Sequence, residues 1–253
     1  MRFFPLAFLG LIAAPVAAQD TAPPKPITPR ADLAFLSDYR ARGVSRSEGQ
    51  PSAQIDLSAE HRSGAYLGLT ATRVTGFGSN GAPVELQLYA GLRRPLGRGT
   101  ADLGLAWTLY PGGRGTSDYL ELTGAYAGTI GPLTMTGRLA YAPAQRSIGS
   151  GGRRDDNLYL AADADLGIPA RPITINAHIG HSNGARGLNP NGFALSPTGD
   201  YWDWSLGATY SRRRLRLGVA YVDTDIRRDA ARASGFAFAN GAPTGVVTLG
   251  VTF

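Results

Sequence analysis

Cysteine is absent from this 253-residue chain, so no disulfide can hold it together. Lysine is almost absent too. Lys25 is the only one, and the net charge of +6 is carried by arginine. Beyond the N-terminus there is no run of about 18 apolar residues, which excludes a transmembrane helix. Any membrane contact must then be made by a closed sheet, the other structure that satisfies its own backbone in lipid. Such closure also supplies the stability that disulfides do not, because no strand edge is left unpaired. Only three histidines are present, His61, His178 and His181, which leaves few candidates for a general base.

What is present first is an export signal. Arg2 is followed by the apolar stretch Phe3 to Ile12 and by the small residues Val16-Ala17-Ala18, so cleavage is expected after Ala18. Residues 1–18 are read as a signal peptide. Residues 19–30, with Pro23, Pro24, Pro26 and Pro29, are expected to form an extended periplasmic tail. The remaining residues, 31–253, are read as one all-β domain. Glycine is abundant, at 34 residues, although it weakens strands. A small curved barrel needs it at bends and where interior side chains crowd. Nucleic acid is not an expected partner of an exported chain, and the phosphates of outer-membrane glycolipid are the acidic groups its arginines fit.

The dominant pattern has period two. Val84, Leu86, Leu88, Ala90 and Leu92 alternate with Glu85, Gln87, Tyr89 and Arg93, and Trp202, Trp204, Leu206, Ala208 and Tyr210 with Asp203, Ser205 and Thr209. Such segments have one apolar and one polar face. Twelve are predicted, near residues 31–40, 50–61, 65–73, 84–93, 101–110, 118–127, 133–142, 157–166, 173–181, 201–210, 215–224 and 246–253. Most have the length a tilted strand needs to cross a bilayer. Tight turns at 62–64, 128–132, 167–172 and 211–214 alternate with long excursions at 41–49, 74–83, 143–156, 182–200 and 225–245. Short turns at one end and long loops at the other are the build of an outer-membrane barrel, with an even strand number returning both termini to the periplasm. Residues 94–100 are long for a turn and 111–117 short for a loop. Outward aromatics are expected at two heights: Tyr141, Trp202, Trp204 and Tyr221 near the loops, Tyr126, Tyr210 and Phe253 near the turns. The closing segment Val246 to Phe253 has the alternation and terminal Phe that the barrel-assembly machinery reads, which makes that machinery an expected partner.

With the apolar faces in lipid, the other faces enter the interior. They carry Asp56, Glu60, Glu85, Asp102, Glu121, Asp163, Asp165 and Asp203 against Arg93, Arg138, Arg216 and His178. A hydrated, charged interior suits passage of small polar solutes, although small barrels also fill their interiors with such side chains and conduct nothing. The excess of carboxylates leans toward cations. The loop arginines Arg40, Arg42, Arg46, Arg114, Arg153, Arg154, Arg227 and Arg228 would offset it at the mouth. Phe236-Ala237-Phe238 is apolar for a loop and is expected to fold inward or pack on its neighbours. A lipid hydrolase is the enzymatic alternative, with His178 or His181 as base. Ser-His adjacency at Ser182 does not make a catalytic set, so no enzyme is expected. Histidines three apart on a strand face opposite ways, so no metal site and no cofactor is predicted.

The stretch Leu36-Ser37-Asp38-Tyr39-Arg40-Ala41-Arg42-Gly43-Val44-Ser45 resembles the opening motif of the TorF family, bacterial exported proteins assigned as porins. Tyr66-Leu67-Gly68-Leu69, Tyr89-Ala90-Gly91, Tyr110-Pro111-Gly112 and Tyr119-Leu120-Glu121-Leu122 extend the resemblance, which runs from about residue 31 to the C-terminus. Arg46 departs from the Gln that follows the motif's Ser. The resemblance implies a Gram-negative envelope barrel, and a passive channel as its function. A non-conducting structural or adhesive barrel is the alternative.

Overall fold

The computed structural model describes residues 26–76, 78–115, 117–149, 152–186 and 195–253. The expected signal peptide, its cleavage at Ala18 and most of the Pro-rich tail lie outside the described residues. Twelve antiparallel strands close into one barrel. In chain order they are β1 (Ile27–Leu36), β4 (Ser52–His61), β5 (Ala65–Arg73), β6 (Val84–Leu96), β7 (Gly99–Leu109), β8 (Tyr119–Ile130), β9 (Leu133–Gln145), β10 (Asp155–Gly167), β11 (Ile173–Gly184), β12 (Asp200–Arg212), β13 (Leu215–Thr224) and β14 (Thr244–Thr252). Two dipeptides, β2 (Arg40–Ala41) and β3 (Val44–Ser45), form a separate ladder in the first loop. Each barrel strand pairs with its neighbours in sequence, and β1 closes the cylinder against β14. No helix of the described residues is long and apolar enough to cross a membrane.

All twelve predicted segments correspond to barrel strands, with shifted ends. The first strand runs 27–36 rather than 31–40, so residues 27–30 belong to the wall and not to a tail. Pro29 is tolerated because β1 pairs with β14 only from Asp32 onward and has β4 alone beside Pro29. The stretch 94–100 resolves into a two-residue turn, Gly97-Arg98, with Pro95 paired to Thr100 in the ladder. Seam lengths differ: β1 matches β4 over ten residue pairs and β14 over five.

The faces sort as the alternation requires. Leucines at 57, 67, 88, 103, 105, 206, 217 and 249 are all exposed on the outside, an apolar exterior that hydrocarbon, not water, would solvate. Tyr126, Trp202, Tyr210, Tyr221 and Phe253 are exposed on this face, with Trp107 beside them at loop height. Tyr141 and Trp204 share the face but are half-buried by neighbours. Inside, glycines make room for rings: a Cβ on Gly68 would lie 2.2 Å from the Tyr89 ring, and one on Gly91 2.4 Å from the Tyr66 hydroxyl. That crowding gives strand glycines a use that offsets their cost.

Candidate functional site

The first loop, residues 37–51, does not rim the mouth; it enters the barrel. Asp38, Tyr39, Arg40, Arg42, Arg46 and Ser47 are all buried. The local chemistry shows why this sequence folds so. The Asp38 carboxylate accepts hydrogen bonds from the Ser45 hydroxyl at 2.5 Å, the Ser47 hydroxyl at 2.9 Å and Arg40 Nε at 2.7 Å. Those bonds tie off a small hairpin whose turn is Arg42-Gly43, at φ 53° and 75°. Gly43 sits so close to the wall that a Cβ would be 2.7 Å from both Asp203 Cβ and Thr224 Cγ2.

From this loop, two side chains reach across. The Tyr39 hydroxyl donates to Glu85 of β6 at 2.7 Å, and Tyr110 donates to the same carboxylate at 2.6 Å. Burial first, and then the Glu85 charge, pushes both phenols well above their ordinary pKa, so they remain donors. Arg42 donates to Glu121 of β8 and, at 2.7 Å, to Asn157 of β10, and its guanidinium lies 4.4 Å from the centre of the Tyr159 ring. Tyr201 of β12 donates to the Arg42 carbonyl at 2.9 Å. Since β8 and β10 flank β9, opposite β1 in the cylinder, the loop spans the full diameter.

Apolar packing caps this bridge. Val44 of the loop clusters with Tyr201, Ile226, Ala231 and Phe236 of the last loop, and Phe238 packs beside them. Phe236 therefore turns inward onto its neighbours. A short helix, α1 (Arg228–Ser234), carries Ala231 into the cluster. A second cluster joins Leu36 and Tyr39 to Val74, Ala82, Tyr110, Tyr119, Ile148 and Leu195.

From the barrel's middle toward the turns both walls carry ion pairs, with Glu60 and Arg216 only partly covered. On one wall, Arg93 pairs with Glu60 at 2.8 Å and Asp102 at 3.1 Å, Tyr66 donates to Asp102 at 2.5 Å, and Asp56 accepts from Tyr89 and Thr70. On the other, Arg138 meets Asp163 at 2.6 Å, and His178 lies between Asp163 at 2.9 Å and Asp203 at 3.1 Å. Asn176 links Asp165 to Thr209. Arg216 pairs with Asp32 at 2.7 Å, and Arg30 with the same carboxylate at 2.8 Å.

All twelve of the expected interior residues thus stand on the inner face, most of them in one of these networks. Arg40, Arg42 and Arg46, expected at the mouth, are instead buried, because Asp38 and Glu121 draw the first two inward. Arg114, Arg153, Arg154, Arg227 and Arg228 are exposed. Sequence reasoning missed Asp32 and the inward course of the first loop. Both nitrogens of His178 face carboxylates, and His181 packs at a tilt against the outer Trp202 while Ser182 bonds inward to Ser196. Neither histidine is placed beside Ser182 as a base would be. No group of three metal-ligating side chains occurs among the described residues.

Fold and interior define a closed barrel of twelve antiparallel strands with a charged inner face. The chain belongs to the Gcw_chp family, described as bacterial protein of unknown function, which matches residues 20–253. No curated protein matches it. Among solved structures it is similar to the porin NanC, with a TM-score of 0.59 at 11% identity over 89% of this chain and 99% of that one. It is also similar to the COG4313 outer membrane channel from Pseudomonas putida F1, with a TM-score of 0.52 at 14% identity over 94% and 99%. At these identities the likeness is one of fold.

Proposed function

We infer that this chain is an exported outer-membrane channel of porin type, passing small polar or charged solutes along its interior, with the first loop as the constriction. The observation that carries this reading is the inner face. Charged and hydroxylated side chains line it from the turns to the first loop, where an apolar plug would suffice for a purely structural barrel. A solute exchanging its water for protein groups meets Asp32, Asp56, Glu60 and Arg93 first, then the Arg42–Glu121 bridge. Interior carboxylates outnumber interior arginines even with Arg40, Arg42 and Arg46 counted, which favours cations. The resemblance to the TorF family, cleavage after Ala18, and recognition of Phe253 by the assembly machinery belong to the same reading.

The capped loop end favours a second reading, a non-conducting wall protein. Single-channel recording of the purified full chain in a planar bilayer separates the two. A channel gives discrete steps that enlarge when the first loop is shortened. No steps from either form would leave the wall protein in front. In a salt gradient, a reversal potential of anion sign would overturn the cation preference.

A further inference from the structure

Charge is shared unequally between the two ends of the barrel. At the loop end the signs mix: Arg153-Arg154 run into Asp155-Asp156, and Arg227 pairs with Asp229 at 2.9 Å. At the turn end, among the described residues, the exposed charged side chains are all arginines. They are Arg62 in the β4–β5 turn, Arg94 and Arg98 around the β6–β7 turn, Arg171 in the β10–β11 turn, and the run Arg212-Arg213-Arg214. The nearest acidic side chains face inward and are engaged there, Asp32 by Arg216, Glu60 and Asp102 by Arg93, and Asp165 by Asn176. None of these seven exposed arginines forms an ion pair among the described residues, whereas the inward-facing Arg30, Arg93 and Arg216 do.

Strand parity sets two of these arginines on the outer surface. Arg93 turns in to Glu60 and Asp102, so Arg94 stands outward in line with the exposed Leu92 and Leu96. Arg212 continues the outward series Trp202, Leu206 and Tyr210. At the same height the Tyr126 hydroxyl donates to the Leu96 carbonyl at 3.1 Å. Arginines just beyond an apolar band, beside tyrosines, extend their stems along the hydrocarbon and place guanidinium groups among headgroups. A guanidinium binds a phosphate through two parallel hydrogen bonds.

We propose that this rim is a binding surface for the phosphodiester headgroups of anionic phospholipid in the leaflet at the turn end. The proposal rests on the membrane-spanning reading above. A soluble anion drawn to the mouth would use groups aimed at the barrel axis, whereas Arg94 and Arg212 face away from it.

The test is electron paramagnetic resonance of the full chain in phosphatidylcholine bilayers, with trace spin-labelled phosphatidylglycerol or phosphatidylcholine. Expected is a several-fold preference of the motionally restricted shell for phosphatidylglycerol, decreasing at high salt. Replacing Arg94, Arg98, Arg212, Arg213 and Arg214 with Gln removes it. The smaller variant R94Q/R212Q halves it or more, and R153Q/R154Q at the loop end leaves it unchanged. Equal association of the two lipids, or a preference that survives in the five-fold variant, overturns the proposal while the barrel reading stands. Loss of the preference to inorganic phosphate, but not to chloride of equal ionic strength, overturns the lipid assignment in favour of a soluble anion. No restricted component with either lipid overturns the membrane reading and this proposal together.

Discussion

The two halves of the barrel interior solve one problem, how to keep charge inside a sheet, in different ways. In the loop half, Tyr39, Tyr159 and Asp203 are 0%, 1% and 2% exposed, and each is held by side chains of other elements, Tyr39 by Glu85, and Tyr159 and Asp203 by each other and by His178. In the turn half, the Glu60 and Arg216 side chains keep 34% and 39% of their surface. The same residue types are therefore fully buried at one end and partly hydrated at the other, where Asp102 and Arg138 stay buried behind the wetted Glu60 and Arg216. Burial, not composition, decides which charges hold the molecule together and which are free to meet a solute. A buried pair that loses one partner leaves a charge without water, while a wetted pair loses little.

The largest expected effect comes from removing the loop half's bridge. Replacing residues 38–47 with a short glycine linker should raise single-channel conductance several-fold while the protein keeps the gel shift between boiled and unboiled samples. An unchanged conductance would mean that the path is closed elsewhere. Next, E121A should destabilise the barrel by about 3–5 kcal/mol in urea unfolding, because Arg42 is then buried without its carboxylate. D32N should cost no more than about 1 kcal/mol, since Arg216 can turn to water. Similar costs for the two would erase the contrast between the halves. Gly43→Ala adds a Cβ at φ 75° against Asp203 and Thr224, and should cost roughly 1–3 kcal/mol and loosen the first loop. The smallest effects concern access. Because the native chain has no cysteine, E60C should react readily with a water-soluble thiol reagent and E85C should not. Equal labelling would show that the loop half is as wet as the turn half.

Much of the wall could be read from residue order alone. Period two assigns the inward carboxylates of β4 to β12, from Asp56 to Asp203, because a strand's side chains have only two directions. The prolines hid the start of β1 and the length of β6. Pro29 and Pro95 read locally as breaks, yet both are tolerated where the ladder does not need their missing donor. The first loop could not be read at all, since its placement depends on pairs far apart in the chain. Tyr39 meets Glu85 46 residues away, Arg42 meets Glu121 79 and Asn157 115 residues away, and Tyr201 reaches back 159 residues. A short polar stretch containing Gly43 looks like a surface turn until its acceptors are brought around it. The phenylalanines of the last loop were easier, because apolar side chains in a loop already ask for cover.

The joint between β1 and β14 carries a consequence for how the cylinder comes into being. Its five matched pairs join residues as far apart as Asp32 and Thr252, so its contacts are the costliest in chain entropy and the least numerous of any neighbouring pair. Every other joint links barrel strands consecutive in the chain; this one waits for the whole curved sheet to bring its ends together. Until then the chain is an open ribbon with two unsatisfied edges. The seam is therefore expected to close last and to be the first part of the finished wall to open, which hydrogen exchange across β1 and β14 would show as the lowest protection of any seam.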